Sequence, residues 1–284
     1  RKAHLGEMVQ LDGSHHAWLE DRGPKLVLMG YIDDATGRFY GKFYSYEGTM
    51  PAMDSLKGYI RQHGIPKSIY LDRHSTYKTN KKYAYTQWPF RDRQELTQFG
   101  RSCQQLGIEL IYANSPQAKG RVERVFETLQ DRLTKELRLA KAATCKEANE
   151  FLERYLDSFN NKFQVAAKRR GDLHRSADKR ISLDDILSVQ TQRSLRNDRT
   201  VLHNNRWYQV LNRTRTTNVM IYEYLNGQLA IKHGKNRLEY KSIEGPIVRV
   251  KQKIYKARMR KRYVPPKNSY WRIGFKLRGS LRQN

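Results

Sequence analysis

The sequence predicts an α/β fold, a mixed five-stranded sheet with flanking helices, followed by a small β-barrel and a basic tail. Three observations predict it. Short apolar runs alternate with stretches whose apolar residues recur three and four apart, in the order β-β-β-α-β-α-β. From about residue 195 the pattern changes to short alternating runs cut by Asn-rich turns. From Gly245 to Asn284 the chain carries many Lys and Arg and no Asp or Glu. The boundaries expected are 1–145 for the α/β core, 146–193 for a helical extension and linker, 194–244 for the small β-barrel and 245–284 for the tail.

Each element has its own signal. Glu7 to Leu11 reads as a strand, and Lys25 to Asp33 with Arg38 to Tyr46 reads as a hairpin closed by Asp34-Ala35-Thr36-Gly37. Met53, Leu56 and Ile60 line one face of a helix from about Met50 to His63, which Gly64 and Pro66 end. Ser68 to Leu71 is a short apolar strand; Gln94 to Leu106 is a helix stopped by Gly107, and Ile108 to Tyr112 a fifth strand. A long helix follows from about Gly120 through Phe126, Leu129, Leu133 and Leu137, then another from Lys146 to Asn160. Lys168 to Asp172 reads as a loop and Asp184 to Val189 as a short helix. In the last third, strands are expected at Thr200 to Leu202, Arg206 to Leu211, Asn218 to Tyr224 and Gln228 to Lys232, with turns at Asn204-Asn205 and Asn226-Gly227.

Charge narrows the partners. The chain of 284 residues has 55 Lys and Arg against 28 Asp and Glu, a net charge of +27. Such an excess calls for a polyanion, and with a folded α/β pattern the partner expected is nucleic acid rather than a membrane surface. No stretch approaches the roughly 20 apolar residues a membrane helix needs, and Arg1-Lys2-Ala3-His4 leads into no apolar signal core. Two cysteines, Cys103 and Cys145, supply neither a disulfide framework nor the paired spacing of a zinc site. The expectation is a soluble, non-exported protein of a reducing compartment, in the cytoplasm of a bacterium and associated with its nucleoid.

Three acidic residues stand where such a sheet would bring them together. Asp12 ends the first strand, Asp72 ends the fourth, and Glu123 lies in the first turn of the long helix. If the first and fourth strands are neighbours, two carboxylates converge at one edge of the sheet and Glu123 closes the group. Three close carboxylates repel, and the counter-ion suited to hard oxygen ligands is Mg²⁺ or Mn²⁺. Two such ions can activate a water or a DNA 3′-hydroxyl and stabilise the leaving oxygen of an in-line phosphodiester displacement. An isolated Asp after a strand is ordinarily a turn or cap residue; here three placements agree with one fold. Glu127, Asp33 and Asp34 are the competing acids, read instead as a solvated helix face and a hairpin turn.

At these residues the sequence resembles the DDE transposase and retroviral integrase superfamily, of which bacterial insertion-sequence transposases are part. The match runs through Leu11-Asp12-Gly13, Tyr70-Leu71-Asp72 and, most specifically, Ser115-Pro116-Gln117-Ala118-Lys119-Gly120-Arg121-Val122-Glu123-Arg124. It covers roughly residues 5 to 140, about half the chain. The resemblance implies a ribonuclease H-like fold and polynucleotidyl transferase activity. It further implies that Asp12 bridges two metal ions, with Asp72 holding one and Glu123 the other.

DNA contacts are expected at Arg73, Gln117, Lys119, Arg121 and Arg124 around the site, and at Arg206 in Arg206-Trp207-Tyr208. The segment Lys251 to Arg262, which holds Lys251, Lys253, Arg258, Arg260, Lys261 and Arg262, is expected to grip the backbone with steep salt dependence. His15, His16 and His74 flank the two Asp residues and suit phosphate contact better than Mg²⁺. Trp18, and Trp88 with Pro89, could stack on a base, though buried packing is the better reading. The function expected is a transposase that cuts at element ends and joins the 3′-hydroxyl to target DNA, working as a dimer or larger assembly. A nuclease that does not join, and a DNA-binding protein without catalysis, are the alternatives. No helix-turn-helix for end recognition is visible, so one would have to precede Arg1.

Overall fold

The computed structural model describes residues 1–78, 96–113, 120–177, 182–245 and Pro266. Residues 1–246 form one compact unit, and the second unit, 247–284, lies outside the described residues apart from Pro266.

The sheet is built from β1 (Val9–His16), β2 (Leu26–Asp33), β3 (Phe39–Tyr44), β4 (Ser68–Leu71) and β5 (Glu109–Tyr112), in the spatial order β3-β2-β1-β4-β5. The first three pair antiparallel, while β4 and β5 run parallel to β1. This is the mixed five-stranded sheet the periodicity predicts. Helices α1 (Thr49–His63) and α2 (Gln98–Gln105) cover one face, and α3 (Gly120–Leu139) and α4 (Cys145–Phe163) the other. The strand alternation divides the core accordingly. On β2, Val27, Met29 and Tyr31 join the α1 side, while Leu26, Leu28 and Ile32 join the α3 side. All eight residues of β2 are buried, so it reads in sequence as a continuous apolar run.

The first strand departs from its expected extent. It continues five residues past Leu11 to His16, because its antiparallel pairing with β2 persists to His16↔Leu26 while its parallel pairing with β4 is confined to Val9↔Ile69 and Gln10↔Tyr70. Asp12 therefore lies within a strand, just beyond the point where the β4 ladder stops, rather than at the strand's end.

The helices close over the sheet through specific fits. Gly30 on β2 leaves room for two rings, since a Cβ there would lie 2.7 Å from Phe39 Cε2 and 2.8 Å from Phe126 Cε1. At the start of α4, Thr144 and Glu147 form a capping box. Asn160 and Asn149 on α4 each bond the backbone of β3, at Phe39 and Phe43, with distances of 2.8 Å from the two amide nitrogens.

After α4 the chain returns along the core. Arg169 N donates to Ala3 O, Leu173 N to Leu5 O, and Arg175 exchanges backbone bonds with Ile65. The short helix α5 (Leu183–Ile186) then leads into β6 (Val189–Ser194), a strand whose polar, half-exposed sequence gave no apolar run to read. The remaining strands are β7 (Thr200–His203), β8 (Arg206–Val210), β9 (Asn218–Glu223), β10 (Leu229–His233), β11 (Asn236–Leu238) and β12 (Tyr240–Ile243). They form two antiparallel sheets, β11-β10-β9-β6 and β12-β8-β7. Val201, Val210, Val219, Ile221, Ile231 and Leu238 from both sheets bury one shared cluster. The turn Asn204-Asn205 has two positive φ angles, 47° and 58°, the hairpin geometry asparagine tolerates best after glycine. Among the described residues, no helix is long and apolar enough to cross a membrane.

Candidate active site

The backbone brings two of the three predicted acids to neighbouring strands, with Asp12 in β1 and Asp72 directly after β4. Asp12 and Asp72 each stand two residues beyond the paired Gln10 and Tyr70 on neighbouring parallel strands. Adjacent strands are about 4.8 Å apart, so the two residues start level with one another and share a face by the two-residue period of a strand. Asp72 Oδ1 accepts the backbone N–H of His74 at 2.9 Å, which folds the loop after β4 back on itself.

Glu123 lies in the first turn of α3, exposed beside its neighbour one turn on, Glu127. Two contacts fix that helix against the sheet. Gln130 Nε2 donates to Ser14 Oγ at 3.0 Å, two residues after Asp12 on β1. Arg121 is ion-paired with Asp34 and also donates from Nη1 to the Asp34 carbonyl at 3.0 Å. Among the described residues, no three His, Cys, Asp or Glu side chains stand close enough together to hold a metal ion.

The competing acids have structural partners. Asp33 accepts from Thr36 N and Thr36 Oγ1, both at 2.8 Å, and from Gly6 N at 2.9 Å, which closes the β2–β3 turn. Asp34 accepts from Gln10 Nε2 at 2.9 Å and from Lys2 N at 2.6 Å besides pairing with Arg121. Beside the start of α3 lies an open cleft of about 490 Å³ whose lining includes Lys2, Gln10, Asp34, Tyr70, Arg121 and Arg124.

The remaining site residues fall out as follows. Arg124 is exposed and donates from Nε to the Gly120 carbonyl at 2.8 Å, and Arg73 is exposed beside Asp72. Arg206 is exposed at the start of β8. Gln117, Lys119, Trp88, Pro89 and the basic residues of Lys251 to Arg262 lie outside the described residues. Trp18 is fully buried, edge-on to Phe43, with its indole N–H on the Ser14 carbonyl at 3.2 Å, so packing accounts for it. His16 packs edge-on to the same indole.

One acid near the site escaped the sequence reading. Glu47 lies in the connection between β3 and α1, and its Oε2 is 2.9 Å from His15 Nε2. A Cβ on Gly13 would lie 2.8 Å from the same oxygen. Tyr77, also unremarked, is buried, and burial together with the negative charges of Glu47, Asp72 and Asp12 pushes its hydroxyl well above the usual tyrosine range. The available signal was its position, an acid just past the end of β3 and just before α1.

No family model matches the chain. It is 42% identical over 195 residues to the transposase-like protein y4bF of Sinorhizobium fredii, an alignment covering 68% of this chain and 41% of that protein. It is 30% identical over 286 aligned positions to the transposase for insertion sequence IS1202 of Streptococcus pneumoniae, covering 96% of this chain and 59% of that one. The chain therefore spans about half the length of the curated relatives it matches. Among solved structures, a chain of a simian T-cell lymphotropic virus intasome in complex with PP2A regulatory subunit B56 gamma aligns with a TM-score of 0.45 at 16% identity, covering 86% of this chain and 81% of that one. The HTLV-2 integrase catalytic core domain in complex with magnesium aligns with a TM-score of 0.42 at 17% identity, covering 60% of this chain and 95% of that one.

The chain is thus similar to transposases, and that similarity extends well beyond the three acidic motifs. More narrowly, the likeness that runs along nearly its whole length is to an insertion-sequence transposase.

Proposed function

We propose that the chain is the ribonuclease H-like catalytic core and C-terminal DNA-binding region of a transposase, a DDE polynucleotidyl transferase that cuts at element ends and joins the 3′-hydroxyl to target DNA. The observation that carries this reading is the level placement of Asp12 and Asp72 on adjacent parallel strands, with Glu123 in the first turn of the helix tied to β1. Similarity to two transposases supports it.

Asp12, Asp72 and Glu123 offer only hard carboxylate oxygens, a donor set that fits Mg²⁺ or Mn²⁺. These three residues would hold two such ions, Asp12 shared between them. When bound, the ions lower the pKa of the attacking water or 3′-hydroxyl and stabilise the leaving oxygen. No side chain need act as nucleophile, and the protein's part is positioning. The first-turn N–H groups of α3 and the exposed Arg124 offer a seat for the phosphate backbone, and the adjoining cleft gives it room. Arg73 and Arg206 add backbone contacts, with Gln117, Lys119 and the basic residues Lys251, Lys253, Arg258, Arg260, Lys261 and Arg262. Arg121 belongs to the same surface, although its pairing with Asp34 leaves it less to offer.

The core would occupy 1–145, the extension and linker 146–193, the region 194–244, whose sheets also take in β6 from Val189, would act as a barrel that binds DNA, and 245–284 would be the basic tail. Holding two element ends together calls for a dimer or larger assembly, and the place of work would be the bacterial nucleoid. A strand-transfer assay with labelled element-end DNA and supercoiled target tests this. Wild type should give joined product in Mg²⁺ and none in EDTA, while Asp12→Asn, Asp72→Asn and Glu123→Gln should bind DNA but not join it. Cleavage without joining would identify a nuclease instead, and joining by any one of the variants would remove that residue from the site.

A further inference from the structure

The connection between β3 and α1 brings a fourth carboxylate against the strand that bears Asp12. Gly13 follows Asp12 on β1 and, with Val9 and Leu11, points to the α1 side of the sheet. Because it has no side chain, the Glu47 carboxylate lies directly against the strand: a Cβ at Gly13 would be 2.8 Å from Glu47 Oε2 and 3.0 Å from its Cδ. The carboxylate is largely covered, with 16% side-chain exposure.

Glu47 reaches toward both strands of the site. Its Oε2 is 2.9 Å from His15 Nε2 on β1, a hydrogen-bond distance, and its Oε1 is 3.9 Å from His74 Nδ1 in the loop after β4. His74 in turn donates its backbone N–H to Asp72 Oδ1 at 2.9 Å. A second observation points the same way. Tyr77 is 2% exposed and its hydroxyl has no hydrogen-bond partner among the described residues, although it stands within the field of Glu47, Asp72 and Asp12. A buried hydroxyl left without a partner costs about 1–3 kcal/mol, so Tyr77 is a polar group that its packing against Phe99 does not account for.

We propose, building on the transposase reading above, that Glu47 is a positioning residue of the catalytic site: it braces β1 through its hydrogen bond to His15 and faces His74, which Thr76 holds in the loop after β4, and so sets the separation of Asp12 and Asp72. It approaches from the face of β1 opposite to Asp12, so it acts through its neighbours and does not itself touch the reacting phosphate. Gly13 is part of the brace, since a methyl group there would displace the carboxylate.

The test compares full-length wild type with Glu47→Gln, Glu47→Ala and Gly13→Ala, each first shown to be folded by its melting transition. Three readouts are taken: the His15 imidazole ¹⁵N signals, the affinity for Mg²⁺ alone by calorimetry, and the kcat and KM of strand transfer. Glu47→Ala should move the His15 signals to those of a solvent-exposed ring and weaken Mg²⁺ affinity or kcat by about tenfold to a hundredfold, the usual cost of losing an outer partner of a metal ligand. KM for DNA should hold. Glu47→Gln keeps an oxygen that can accept from His15 and should recover most of the loss, whereas Gly13→Ala should behave like Glu47→Ala. Unchanged Mg²⁺ affinity and kcat in folded Glu47→Ala would overturn the proposal. If Asp12→Asn, Asp72→Asn and Glu123→Gln fail to join DNA while Glu47→Ala joins normally, only the brace falls; if those three join as wild type does, the transposase reading itself falls.

Discussion

Asp34 holds the start of the helix that carries Glu123, and its removal should be felt in stability and in the site together. Its side chain is 7% exposed and serves three donors: Arg121 on α3, Gln10 Nε2 on β1 at 2.9 Å and the Lys2 amide at 2.6 Å. In Asp34→Ala the guanidinium loses its charge partner, and Gln10, whose Oε1 already has no partner, loses its remaining side-chain bond. Removing one member of a buried ion pair costs about 3–5 kcal/mol. Arg121 is 30% exposed and keeps its bond to the Asp34 carbonyl, so hydration and that bond offset part of the loss. The expected destabilisation is about 2–3 kcal/mol, and about 1–2 kcal/mol for Asp34→Asn, which keeps one acceptor oxygen for Arg121 and Gln10 but loses the charge and the oxygen that accepts from the Lys2 amide. Urea unfolding of Asp34→Ala, Arg121→Ala and the double variant measures the coupling, expected near 2 kcal/mol. Effects that simply add, within about 0.5 kcal/mol, would show that this pair does not hold the helix. Strand transfer should fall in Asp34→Ala as well, because Arg121 is two residues ahead of Glu123.

Two further perturbations probe the core and its pH response. Gly30→Ala places a methyl group 2.7 Å from Phe39 and 2.8 Å from Phe126, two rings packed in the core; overpacking of this kind costs about 1–3 kcal/mol, and a urea midpoint equal to wild type would show that the rings yield freely. His63 is pushed down to about 4, chiefly by burial and also by the positive charges of Arg38 and His174. The unfolded chain, with His near 6.5, therefore binds more protons between those two values, and stability falls as pH drops from about 6.5 toward 4. His63→Gln should flatten that part of the melting-temperature profile, and an unchanged slope would mean another group is responsible.

The sequence by itself determined the order of the core elements. β2 is legible because a strand buried on both faces must be apolar throughout, and α1 because Met53, Leu56 and Ile60 repeat at the helical period. Two of the acids the sequence singles out sit at boundaries that periodicity marks, the end of β4 for Asp72 and the start of α3 for Glu123, whereas Asp12 lies in the middle of β1. What escaped the sequence depends on partners distant along the chain. β6 is polar and half exposed and becomes a strand by pairing with β9, some thirty residues later. β1 runs to His16 because β2 continues beside it, which no local pattern in Gly13-Ser14-His15-His16 announces. The pairing of Asp34 with Arg121 spans 87 residues, and the contact of Glu47 with Gly13 and His15 exists only because the β2–β3 hairpin returns the chain to β1. Local propensity and periodicity are properties of neighbouring residues, so they fix elements; ion pairs, strand registers and the close approach of one carboxylate to a glycine are properties of the packed whole, and only the tertiary structure could decide them.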